Sequence, residues 1–149
     1  MRPMPRSYAR SRGYTLFELL VVILMAGLAA GLVGVGVTRG LQQAAERDAV
    51  AQMVNALRAA RVQAIVTGQP ALARFDLRAR SVQAPGRKPV PWPAAMQVRL
   101  HTAEALGSAF EFYPDGGASG GNIDVLSGTR NWRIDIAWLT GMVELREGS

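Results

Sequence analysis

The sequence contains no cysteine and a single histidine, His101. Disulfides, thiolate nucleophiles and cysteine-ligated metals are therefore excluded, and a zinc site would lack a second imidazole. Proline is absent from Tyr14 through Gln69, so nothing in that stretch breaks a long helix. Charge is absent from residues 19–37; as a helix rising about 1.5 Å per residue, this run matches roughly 30 Å of hydrocarbon. Setting it aside leaves about 110 residues, enough for one domain with a modest core.

What the sequence does have is positive charge, net +6 over 149 residues. Its distribution argues against a simple nucleic-acid reading. Residues 1–13 carry Arg2, Arg6, Arg10 and Arg12 and no acid; residues 14–73 are net +1, residues 74–99 net +5 and residues 100–149 net −4. Without the first 13 residues the chain is only +2. Most of the excess belongs to a leader.

A basic segment followed by an apolar run is an export or insertion signal, with the arginines kept in the cytoplasm and the rest sent across the membrane. Three readings compete: a cleaved secretory signal, an uncleaved anchor, and a leader cut before the apolar run. Ala26-Gly27-Leu28-Ala29 supplies small residues at a signal-peptidase-like spacing. Against that cut, apolarity continues through Val37, and an acid, Glu18, stands near the start of the run. A carboxylate there is costly and so marks a functional position, or else a helix-end acid reaching the headgroups.

Gly13-Tyr14-Thr15-Leu16-Phe17-Glu18-Leu19-Leu20-Val21-Val22 resembles the processing site of type IV pilins and type II secretion pseudopilins. The resemblance implies that prepilin peptidase cuts after Gly13 and methylates the new amine of Tyr14. It also implies that Glu18 serves subunit assembly, its carboxylate meeting the Tyr14-type amine of a neighbour. Tyr14 replaces the family's more usual Phe. Val35 stands where many fibre-forming relatives have Pro.

Beyond the apolar run, Leu41, Ala45, Ala49, Met53, Leu57, Ala60 and Ala64 recur at helical spacing, with Gln43, Arg47, Arg58 and Arg61 off the stripe. One helix from about 15 to about 66 is predicted, stopped by Thr67-Gly68-Gln69-Pro70. Its expected parts are a transmembrane half over 14–38 and an amphipathic half over 39–67. Gly27-x-x-x-Gly31 and Gly36-x-x-x-Gly40 match a helix-packing spacing.

From residue 70 to 149 a β-rich domain is expected, with strands at 71–77, 97–102, 110–113, 122–126, 131–138 and 142–145. Trp132, Ile134, Ile136 and Trp138 alternate with Arg133, Asp135 and Ala137, giving one buried face and one wet face. Ser127-Gly128-Thr129 reads as a hairpin connection, and the four prolines of residues 85–93 as an exposed loop. The fold class is α+β, a long N-terminal helix on a small antiparallel sheet or pair of sheets, as the pilin resemblance also implies.

Phe112-Tyr113-Pro114-Asp115-Gly116-Gly117-Ala118-Ser119-Gly120-Gly121 and Ile136-Ala137-Trp138-Leu139-Thr140-Gly141-Met142-Val143 are similar to segments of the H-type minor pseudopilins. What that implies is a non-catalytic subunit, without cofactor, of a type II secretion pseudopilus. Its partners would be other major and minor pseudopilins, the peptidase and an inner-membrane platform. It would be a single-pass inner-membrane protein with its C-terminal domain in the periplasm. The alternative is a minor type IV pilin that handles DNA.

Catalytic patterns are weak. Gly117-Ala118-Ser119-Gly120-Gly121 spells G-x-S-x-G, but strands flank it where a nucleophile elbow needs a following helix. Asp115 and Asp124 could meet Ca²⁺, though turn and strand-edge roles explain them better. Arg74, Arg78, Arg80, Arg87, Lys88 and Arg99 face only Asp76 within residues 74–99, a candidate basic interaction patch. It suits phosphates or an acidic neighbour; nucleic acid is disfavoured by the acidic C-terminal third.

Overall fold

The described residues of the computed structural model are 15–148, with the side chains of residues 32–37 outside that description. They fall into two compact units divided between Gly40 and Leu41. One helix, α1 (Leu16–Thr67), contributes to both.

In the first unit α1 starts just after Thr15. Glu18 and Leu19 donate backbone N–H groups to the Thr15 hydroxyl (3.3 Å) and carbonyl (3.1 Å). Thr15 thus occupies the N-cap position and Glu18 the third helical position, the spacing of a capping box. Gly27 and Gly31 face open space. Among the described residues no helix is long and apolar enough to cross a membrane. The uncharged run continues through residues 32–37, whose side chains lie outside the described residues.

In the second unit α1 buries Ala49, Val50, Met53, Val54, Ala56, Leu57, Ala60 and Ala64. The predicted stripe therefore holds from Ala49 onward. Leu41 and Ala45, its first two members, are exposed; the first buried side chain is Glu46. The helix ends on Thr67, with Gly68 in the left-handed conformation (φ 65°) that favours glycine after a last helical turn.

Among the described residues eight strands make two antiparallel sheets. β1 (Ala71–Asp76), β2 (Ser81–Gln83), β3 (Val90–Pro91) and β5 (Ala109–Phe112) form one, in the order β3-β2-β1-β5. The second runs β4-β6-β7-β8, from β4 (Gln97–His101), β6 (Gly121–Ser127), β7 (Arg130–Ile136) and β8 (Val143–Gly148). Inner-face residues of both sheets join the helix in one apolar cluster, with Phe75, Phe110, Phe112, Ile123 and Ile134 fully buried. Ile123 lies opposite Ile134 and Val125 opposite Trp132 in the β6–β7 register.

Three expectations are corrected. β2 and β3 are additional short strands, and Pro91 sits in β3 at the sheet edge, where a missing N–H is tolerated. Trp92, in the stretch predicted as an exposed loop, is buried, its ring centroid 6.3 Å from that of Phe75 and its backbone N–H donating to the Arg80 carbonyl (2.9 Å). Trp138, predicted on the buried face, is 69% exposed because β7 ends at Ile136 and the chain turns away.

Candidate functional site

At the start of α1, Gly13 and Tyr14 lie outside the described residues. Glu18 is exposed in the first turn, where partial positive charge on the free N–H groups favours a carboxylate. Among the described residues it has no ion-pair partner within 4.0 Å.

Sequence reasoning missed Glu46. Its side chain is 3% exposed and is held entirely by the β6–β7 hairpin. Ser127 Oγ donates to Oε1 (2.7 Å), and the Arg130 guanidinium pairs with Oε2. Ser127 and Arg130 are the closing pair of the hairpin, flanking the two-residue turn Gly128-Thr129. That turn therefore aims both donors at one carboxylate. Arg130 also lies over the Trp132 ring, 5.2 Å from its centroid. No sequence signal distinguishes Glu46 from Asp48, which is exposed two residues later.

The glycine-rich segment carries the chain from β5 in one sheet to β6 in the other. It packs on the β7–β8 connection: Ala118 N–H donates to Trp138 O (2.8 Å), and Gly117 leaves room for the Trp138 and Leu139 carbonyls. Arg61 of α1 joins both, its Nε donating to Gly116 O (3.3 Å) and Thr140 O (3.1 Å). The two segments with H-type resemblance, separated in sequence, thus form one junction. Ser119 Oγ there accepts from Glu111 N–H (3.2 Å), a backbone role. Asp115 Oδ1 accepts from Gly117 N–H (2.9 Å), and Asp124 pairs with His101 (3.1 Å) and Arg133 (3.5 Å). Each acid weighed for calcium is held by protein partners. Tyr113, at the edge of the junction, has its phenol pKa raised, first by burial and then by the Glu111 and Asp115 charges.

The six patch cations are spread over several cavities, with Arg74 and Arg99 each lining two. Arg74 and Arg78 line a cavity of about 540 Å³ at the β1–β2 end of the first sheet. Arg80 and Arg99 share another, of about 350 Å³, with Trp92 and Met96. Arg87 and Lys88 line a third of about 90 Å³ beside α1. Arg99, on β4, stands opposite Asp124 and next to an exposed ladder in which Arg133 bonds Asp135 (2.9 Å) and Arg146 reaches Asp135 (3.5 Å) and Glu144 (3.4 Å). The hydrogen bond and then the charge of Asp135 raise the pKa of Arg133.

No family model matches the chain. The type II secretion system protein H of Xanthomonas campestris pv. campestris is 36% identical over 152 residues, spanning 99% of this chain and 89% of that protein. Two solved structures of the minor pseudopilin EpsH from the type II secretion system of Vibrio cholerae share the fold. Their TM-scores are 0.55 and 0.53, each at 13% identity, over 68% and 73% of this chain and 96% and 98% of theirs. The near-full-length identity carries the assignment beyond fold: this chain belongs to the type II secretion system protein H family, the H-type minor pseudopilins.

Proposed function

We propose that the chain is a structural subunit of the periplasmic pseudopilus, matured by prepilin peptidase, which cuts after Gly13 and methylates the amine of Tyr14. The supporting observation is the start of α1, where Glu18 is exposed and without an ion-pair partner among the described residues. Cleavage would create an α-amine four residues before that carboxylate. Neither group is stable alone in low dielectric, and an adjacent subunit displaced along the fibre can satisfy both. In this reading residues 19–37 anchor the chain in the inner membrane, the arginine-rich leader faces the cytoplasm, and residues 41–149 stand in the periplasm. Other major and minor pseudopilins and the inner-membrane platform are its partners. The chain performs no catalysis and takes no cofactor.

Intact-mass analysis of the chain from a secretion-competent host tests processing: a singly methylated species beginning at Tyr14 is expected. A mature chain beginning near Ala30 would remove Glu18 and end the proposal. Glu18→Ala is expected to be processed normally but to co-purify poorly with partner pseudopilins.

A further inference from the structure

The cavity bounded by Arg74 and Arg78 has no role in the processing and assembly just described. Its walls come from β1 and the turn after it, from β2, from Pro89 and from the segment leading into β5. Arg74 projects from the wet face of β1, opposite Gln83 of β2 and Ala109 of β5. Arg78 is set by the turn after β1, where Asp76 Oδ1 accepts the backbone N–H groups of Arg78 (2.9 Å) and Ala79 (2.8 Å). Ser81 and Ser108 line the space, and Leu77 and Leu106 give it an apolar flank. Among the described residues neither Arg74 nor Arg78 has an ion-pair partner. Asp76 also lines the cavity, leaving the three charged side chains at net +1.

We infer that this cavity is a binding site for a carboxylate side chain presented by an acidic segment of a partner protein. Two guanidinium forks beside hydroxyl groups suit a planar carboxylate, which accepts paired N–H bonds from arginine. The apolar flank accommodates the methylene stem of a Glu. A nucleic-acid backbone fits less well. It needs cations along a continuous track, whereas the remaining four cations line other cavities. The phosphates flanking one seated between Arg74 and Arg78 would meet Asp76 and Glu111, which share the wet face of this sheet. A single inserted carboxylate faces Asp76, whose Oδ1 already accepts the backbone N–H groups of Arg78 and Ala79, but not Glu111, which does not line the cavity. The site would exist whether or not the chain is cleaved at Gly13, so it stands independently of the fibre proposal.

The test uses the full chain in detergent with two fluorescent probes, a twelve-residue peptide of alternating Glu and Ala and a duplex DNA. The leader arginines are common to every chain compared, so differences between variants report on the cavity. The double variant Arg74→Ala/Arg78→Ala is expected to weaken peptide binding about tenfold or more, the loss expected for charge-assisted hydrogen bonds. Arg87→Ala/Lys88→Ala is expected to change it less than about threefold, the range of a screened surface charge. Arg74→Lys/Arg78→Lys keeps the charge, loses the fork and should fall between; it also carries the test if the alanine pair fails to fold. Peptide affinity that is the same in wild type and both Arg74/Arg78 variants overturns the proposal. So does duplex DNA that binds more tightly than the peptide and depends on the same two arginines.

Discussion

Glu46 shows how one side chain connects distant parts of the chain. A carboxylate this buried is tolerable only with its oxygens satisfied, and here a hydroxyl and a guanidinium from the two ends of one turn do so. The two partners are not equivalent. Arg130 keeps 26% of its side chain exposed, so loss of Glu46 lets it turn toward water. Loss of Arg130 strands a buried acid on a single hydroxyl and removes the contact with Trp132. Arg130→Ala is therefore expected to destabilise the fold by about 2–4 kcal/mol, and Glu46→Ala by about 1–2 kcal/mol. Urea unfolding of the two variants measures the difference; equal losses would mean that the desolvated acid is not the costly partner. Nothing in residues 41–50 separates Glu46 from its charged neighbours, because burial at that position is set by a hairpin some 80 residues away.

Among the elements, the six longer strands and the helix follow sequence pattern closely, and the departures have local causes. β2 and β3 are too short, at three and two residues, to show alternation. Trp132 and Trp138 occupy equivalent places in the sequence alternation, yet only Trp132 faces the core. Trp132→Ala is expected to cost about 3–5 kcal/mol, and Trp138→Ala less than about 1 kcal/mol; thermal unfolding of the pair checks this. Gly121, at the start of β6, has φ 119°, and an added Cβ would collide with the carbonyl oxygen of His101 on the adjacent strand. Gly121→Ala is expected to destabilise by about 3 kcal/mol or more. Retention of wild-type stability would require β4 to move aside, visible as loss of amide protection along the β4–β6 pair. The sequence shows four glycines within residues 116–121, but not that they line a crossing between two sheets.

For the molecule as a whole, every residue of the apolar cluster lies between Ala49 and Val143, within the second unit. A chain of residues 41–149 is therefore expected to fold without the first unit. Cooperative urea unfolding, followed by the fluorescence of buried Trp92 and Trp132, checks it. A gradual, non-cooperative loss would show that residues before Leu41 are needed to fold the domain.

By itself the sequence determined the long helix, the shift from an uncharged to an amphipathic stretch, the six longer strands and the family. These are written in local periodicity, in the placement of Pro and Gly, and in short contiguous motifs. Only the tertiary structure decided that Glu46 is latched to the β6–β7 turn, that Arg61 joins the two H-type segments, and that the six patch cations are spread over separate cavities. Each is a matter of which side chains meet across large sequence separations. That depends on how helix and sheets close over one core, and no local pattern encodes it.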